Sequence, residues 1–371
     1  KRNPHDQKHP CRGSRLRLIL GPERHFHNQR PSEPIRRVPR SHPDEPRRRQ
    51  PVRTLSLHAR TMTMTDLLRQ EIAATATRIV VKVGTRVLTQ NDGRLDLGQI
   101  QNLADQLHTL IEAGHQTVLV SSGAVGAGMS ELQLTKRPSD LAQLQGVAAI
   151  GQTKLIEAYD RTLRMHGRHA AQVLLTAGDM QHRTSYLNVR NTLLSLLDQG
   201  ALPIIHENDT VAVDDLMSTV GDNDRLAGLV TNLLRASLLI ILSDVDGLYD
   251  GPPQDSSSQI IPTVSRIDEQ IVAYVRDRVT GTSKGGMASK LEAARMATFA
   301  GENVILANGR EPNSLVRLVQ GDVLGTAFLA QGKSVSPWKR WIGFSARPRG
   351  TLTLDNGACQ AVTRQGRSLL A

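Results

Sequence analysis

From about residue 78 onward, short apolar runs alternate with longer stretches in which apolar residues recur at helical spacing. Residues 79–83, 117–120, 169–175, 202–205, 238–242 and 303–307 are rich in Val, Ile, Leu and Ala, and they predict strands. Between them, the helical period covers residues 97–113, 140–165, 187–197, 225–236 and 287–300. Strands with no polar face, separated by helices, predict an α/β protein whose parallel sheet is covered on both sides. No internal repeat interrupts this pattern.

Ligands of such sheets bind beyond the carboxyl ends of the strands. Gly84 and Thr85, Ser121 to Gly123, His206 to Asp209, and Ser243 with Asp244 all fall at predicted strand ends. Their convergence on one edge predicts a single active site.

Residues 218–228 carry the densest polar chemistry. Asp222, Asn223 and Asp224 follow Gly221 just ahead of the helix predicted over 225–236. Asp and Asn cap helix starts by accepting from free backbone N–H groups, and one Asp would satisfy that role. Three such residues, behind a second acidic cluster of Glu207, Asn208 and Asp209, point to a site. Crowded carboxylates need a cation or a donor-rich ligand to offset their repulsion.

Lys82 stands inside an apolar run. On a buried parallel strand it needs an anion; on an edge strand it would face solvent. The Gly123, Gly126 and Gly128 series follows a strand and opens a helix, where free N–H groups can bind an anion. Its G-x-x-G-x-G order is not the dinucleotide fingerprint, and tight helix–sheet packing explains it equally well. Ser122, just before it, is better placed to hydrogen-bond a substrate. The glycine-rich loop 281–290 fails the phosphate-binding P-loop template. It still offers flexible N–H groups, a helix start, Lys284 and Lys290, a combination suited to polyphosphate. A surface loop with a solvated lysine is the alternative. Two separated lysines, clustered carboxylates and a glycine-rich loop describe phosphoryl transfer, which asks mainly for positioning and charge neutralisation. No nucleophile–histidine spacing competes.

The formal charge of +11 suggests nucleic-acid binding until its location is considered. Residues 1–60 hold 16 Lys and Arg against 5 Asp and Glu, and the remaining 30 of each sign cancel. The neutral body therefore lacks the basic patch of a DNA-binding domain. The same 60 residues hold 9 of the 17 prolines, and residues 1–61 are expected to be a disordered basic leader. Upstream translation is the favoured origin, since Met62 and Met64 stand just before the first regular segment. A basic arm or an Arg-rich transit peptide is the alternative, the latter at odds with Asp44, Glu45 and the scattered prolines. Two cysteines, Cys11 and Cys359, offer no metal spacing or disulfide framework. No apolar run approaches the length of a membrane span, so a cytoplasmic protein with no membrane partner is expected.

Val81-Lys82-Val83-Gly84-Thr85, Ser121-Ser122-Gly123-Ala124, Glu207-Asn208-Asp209, Val220-Gly221-Asp222-Asn223-Asp224 and Gly285-Gly286-Met287-Ala288-Ser289-Lys290 together resemble the amino acid kinase family, over residues 78–333. The Glu-Asn-Asp followed by Gly-Asp-Asn-Asp is similar to the branch that phosphorylates the side-chain carboxylate of L-glutamate with ATP, the first step of proline synthesis. A member acting on another carboxylate or a carbamate is the alternative within the family. The resemblance implies an open, mainly parallel αβα sandwich. It implies that Lys82 and Lys290 flank the transferring phosphoryl group while Asp224 holds both ammonium groups. It assigns glutamate to Ser122, Asp209 and Asn223. It assigns ATP to Lys82, Ser243, Asp244, Lys284, Gly285, Gly286, Met287, Ala288, Ser289 and Lys290. Mg2+ would arrive with the phosphates rather than in a protein cage, with Asp222 an outer contributor at most. A homo-oligomer, dimer or tetramer, and contact with the next enzyme of proline synthesis are implied as partners. Two positions depart from the family: His206, usually Asn, bears on glutamate contacts or proline inhibition. Lys284, usually small or polar, adds charge beside the nucleotide.

In residues 334–371, Trp338-Lys339-Arg340-Trp341-Ile342-Gly343 and the stretch from Gly350 to Gly357 resemble the linker and opening of a PUA domain. A truncated β-rich remnant is expected there, with RNA as a partner by fold analogy alone. A non-catalytic RNA-binding or regulatory protein is the alternative from another class, and the intact Lys82, Asp224 and Lys290 argue against it.

Overall fold

The computed structural model describes residues 15–18, 63–211, 222–276, 286–332, 336–346, 350–353 and 355–365. In chain order the strands are β1 (Arg15–Leu18), β2 (Arg78–Val83), β3 (Gln116–Ser121), β4 (Ala170–Leu175), β5 (Leu202–Glu207), β6 (Leu238–Ser243), β7 (Thr263–Val264), β8 (Asn303–Asn308), β9 (Thr326–Phe328) and β10 (Gly350–Thr353).

Residues 63–347 form one unit. Its eight-stranded sheet runs in the order β4-β5-β3-β2-β6-β8-β9-β7. Every neighbouring pair is parallel except β8 with β9. The α/β class and the mainly parallel sheet expected from the hydrophobic pattern are what the chain adopts. β7 and β9, two and three residues long, were not expected, because runs that short carry no period.

The expected helices appear as Leu97–Glu112, Leu141–Met165, Arg183–Asp198, Asp222–Leu234 and Met287–Phe299. The fourth begins three residues before its predicted start. Asp222, Asn223 and Asp224 therefore form its first turn instead of preceding it. Carboxylates are favourable there, beside the unpaired N–H groups at the positive end of the helix dipole.

Side chains alternate across a strand, and the two faces of the sheet carry separate cores. Ile79, Val81 and Val83 pack with Leu103 and Leu107 of helix Leu97–Glu112 and with Leu155 of helix Leu141–Met165. Val80 faces the other way, among Leu193, Leu226, Ala227, Leu291 and Ala293 from the helices Arg183–Asp198, Asp222–Leu234 and Met287–Phe299. Trp341, in the π-turn Trp341–Ser345, joins this second core, and Arg340 pairs with Glu302 at 2.6 Å.

Residues 1–62 and 348–371 form a second unit, in which β1 pairs antiparallel with β10 and the helix Asn356–Gln365 follows. Apart from β1, the leader expected over residues 1–61 lies outside the described residues. Among the described residues, no helix is long and apolar enough to cross a membrane.

Candidate active site

Strand β2 is central, flanked by β3 on one side and β6 on the other, so the solvent-facing edge position considered for Lys82 does not occur. Lys82 lies on the same face as Val80 and is only 4% exposed. Its Nζ meets Asp224 Oδ1 at 2.6 Å. Lys290, in the first turn of helix Met287–Phe299, approaches Asp224 Oδ2 at 3.4 Å. The Ser289 hydroxyl is hydrogen bonded to the same oxygen at 2.7 Å. Asp224 is fully buried between the two lysines. Burial acts to raise its carboxyl, and the paired ammonium groups outweigh that and hold it below the usual carboxylate range. Burial, with Lys290 adding to it, pushes the Lys82 ammonium below its ordinary value although Asp224 pulls it back. One carboxylate thus fixes two cations, leaving a net charge of +1 where strand ends and two helix starts meet. Such preorganised positive charge stabilises a transferring phosphoryl group.

The neighbouring strand ends complete the edge. Gly84 follows β2, and a Cβ there would stand 3.7 Å from Lys82 Nζ. Ser122 follows β3, is buried, and donates its backbone N–H to Val83 O at 3.2 Å. Asp209 follows β5 and is 9% exposed. Burial raises its carboxyl, against the pull of His206 and Arg137. The Asn223 Oδ1 atom is buried and accepts no hydrogen bond from the described residues, which leaves a polar atom for a ligand to satisfy. At the end of β6, Ser243 Oγ donates to Asp244 Oδ1 at 3.1 Å, and Arg86 binds Asp244 Oδ2 at 3.0 Å.

Gly286 caps helix Met287–Phe299 without a side-chain hydrogen bond, next to half-buried Met287 and exposed Ala288. Lys284 and Gly285 lie outside the described residues, as does the side chain of Asp222. The structure thus brings Lys82, Asp224, Ser289 and Lys290 into contact. It sets Ser122, Asp209, Asn223, Ser243 and Asp244 along the same edge.

The glycine series has a packing role at its far end. Gly123 takes φ +107°, a left-handed conformation that suits glycine at the turn into helix Ala124–Glu131. A Cβ on Gly128 would collide with Val147 O, and one on Gly151 with Ala124 O. These glycines allow helices Ala124–Glu131 and Leu141–Met165 to touch backbone to backbone. Packing is the reading that holds for Gly128, between helices rather than between helix and sheet.

Gln152, Arg86 and the carboxylate-binding role of Ser289 escaped the sequence reading. Gln152 Nε2 reaches His206 Nδ1 at 2.7 Å and Glu207 O at 3.3 Å, while its Oε1 accepts from Gln172 Nε2 at 3.0 Å.

A central parallel strand carrying a lysine, tied through a buried aspartate to a second lysine at a helix start, defines an α/β protein built for handling phosphoryl groups. The amino acid kinase family profile matches residues 77–308, and the chain belongs to that family. Glutamate 5-kinase of Rhodopirellula baltica is 49% identical over 82% of this chain and 78% of that protein. Glutamate 5-kinase of Herpetosiphon aurantiacus is 46% identical over 79% of each chain. Among solved structures, UMP kinase from Ureaplasma parvum is 17% identical, with a TM-score of 0.46 over 68% of this chain and 99% of that one.

Proposed function

We propose that this chain transfers the γ-phosphoryl group of ATP to the side-chain carboxylate of L-glutamate, giving ADP and L-glutamyl 5-phosphate for proline synthesis. The observation that carries the reading is the buried Lys82–Asp224–Lys290 bridge. The names and similarity of the relatives supply the substrate.

Glutamate's side chain titrates at about 4.3 and is already an anion at neutral pH, so no general base has to remove a proton. A carboxylate oxygen attacks the γ-phosphorus while the bond to the bridging oxygen of ADP breaks. Lys82 and Lys290 offset the charge on the phosphoryl oxygens, and Asp224 keeps both ammonium groups in place. Asp209 accepts the substrate α-ammonium, and Asn223 and Ser122 complete its hydrogen bonding. Ser243, Asp244 and the segment Lys284 to Lys290 hold the nucleotide. The one carboxylate between the lysines is already committed to them. The site therefore suits a Mg2+ ion that arrives on the phosphates and adds to their neutralisation.

The product is a mixed anhydride open to hydrolysis, which favours hand-over to the next enzyme of proline synthesis. A cytoplasmic homo-oligomer completes the proposal. RNA contact at the PUA-like remnant rests on resemblance alone.

The test is ADP release by purified protein with MgATP and, in turn, glutamate, aspartate, N-acetylglutamate and carbamate. Glutamate should give the fastest turnover. A folded sample with no glutamate-dependent release, or one that prefers another acceptor, would overturn the assignment.

A further inference from the structure

His206, the last residue but one of β5, is 3% exposed. The ring lies between helix Leu141–Met165, which carries Gln152, and the loop that carries Asp209. Gln172 turns the Gln152 amide so that Nε2 points at His206 Nδ1. In that arrangement Nδ1 accepts and the ring proton sits on Nε2. Yet Nδ1 also lies 2.9 Å from the Glu207 carbonyl oxygen and 3.6 Å from Asp209 Oδ2, two acceptors with no proton between them and it. His206 Nε2 is buried without a hydrogen-bond partner among the described residues, so nothing on that side locks the ring in one protonation state.

We propose that His206 is a proton-sensitive positioning residue that sets glutamate affinity through Asp209. The inference rests on the glutamate-binding role assigned above to Asp209. In the neutral state, Gln152 occupies Nδ1 and its side chain also hydrogen bonds the Asp209 carboxylate, whose negative charge stays available to the substrate ammonium. Protonation places an N–H on Nδ1. It breaks the Gln152 hydrogen bond and offers a donor to Glu207 O and the Asp209 carboxylate. Part of Asp209's charge then serves the imidazolium instead of the substrate. The relation is reciprocal: bound glutamate disfavours the protonated ring.

The groups around the ring allow this. The Asp209 carboxylate pairs with the ring at 3.6 Å, Arg137, beyond helix Ala124–Glu131, faces Asp209, and Glu207, next in the chain, is itself buried. Gln152 and Gln172, from the helix and from β4, are uncharged, and Glu207 presents its carbonyl. Burial lowers the imidazole's proton affinity and Asp209 raises it, with burial prevailing. The change therefore falls on the acid side of the ordinary histidine range.

The experiment measures KM for glutamate and kcat from pH 8 down to the lowest pH at which both proteins stay folded, at saturating MgATP, for the wild type and His206→Asn. In the wild type KM should rise about fivefold as pH falls through this range, with kcat changing far less. His206→Asn should show a clearly smaller rise, because Asn cannot acquire the charge and only the protonation of Asp209 itself remains. Equal slopes in both proteins, or a wild-type KM that does not move, would overturn the proposal. Should His206→Asn fail to fold, His206→Gln replaces it. Turnover of glutamate with a flat KM sinks this inference only. No glutamate turnover at any pH sinks the kinase assignment as well.

Discussion

Replacing Asp224 by Asn removes one negative charge and keeps the shape, so it isolates what that charge does. At an effective dielectric constant of ~20, Coulomb's law gives about 6 kcal/mol for the 2.6 Å contact with Lys82 and about 5 kcal/mol for the 3.4 Å contact with Lys290. Most of this offsets the desolvation of three buried groups. Taking away one partner is different, because it leaves two ammonium groups buried without compensation, a loss of about 3–5 kcal/mol. Turnover should fall about 100- to 1,000-fold, the usual consequence of removing one preorganised electrostatic element. KM for glutamate should stay within about threefold, because Asp224 touches the lysines rather than the amino acid. Steady-state kinetics and thermal melts with and without ADP measure both effects. Bound phosphates compensate the stranded lysines, so ADP should raise the melting temperature of the variant more than that of the wild type. A kcat within threefold of wild type, or a KM that rises in step with the loss of turnover, would refute the assignment.

Asp209→Asn should behave in the opposite way, raising KM for glutamate about tenfold or more while kcat holds within a few-fold, since a buried charge facing the substrate ammonium is lost. Identical kinetics for the Asp209 and Asp224 variants would show that the two roles are wrongly divided. Arg86→Ala should change stability by less than about 1 kcal/mol in urea unfolding, because the Arg86–Asp244 pair is solvent-exposed. Gly151→Ala should destabilise by about 3 kcal/mol or more and lower the melting temperature sharply, since its Cβ meets the Ala124 carbonyl. Between His206's lowered folded pKa and its ordinary value of 6.5, the unfolded chain binds more protons. Stability should therefore fall as pH drops below about 6.5 toward the folded value, and His206→Asn should lose that part of the slope. Urea unfolding at pH 7.5 and 5.5 would measure it.

The strands and long helices could be read from one sequence because a period of two or 3.6 survives in runs of that length. From pattern alone the site could be read only as chemical types. Lys82 was conspicuous as a charge in an apolar run and Asp224 as one of three polar residues at a helix start; their partnership came from the family resemblance, which assigned Asp224 to both lysines. Gln152 was invisible: a glutamine in a helix shows nothing until the fold sets it against His206, 54 residues later. The missing information is which face of the sheet each helix covers, and that follows from strand order. Crossovers between parallel strands are right-handed, so crossovers that move in opposite directions across a sheet put their helices on opposite faces. The steps β2 to β3 and β3 to β4 move one way. They place helices Leu97–Glu112 and Leu141–Met165 on the face of Val81. The steps β4 to β5, β5 to β6 and β6 to β8 move the other way and place helices Arg183–Asp198, Asp222–Leu234 and Met287–Phe299 on the face of Val80. Lys82 shares the parity of Val80. Given the order of the strands, it is bound to meet the helices that bear Asp224 and Lys290; with the order reversed about β2, the same sequence of elements would bury Lys82 against helices carrying neither.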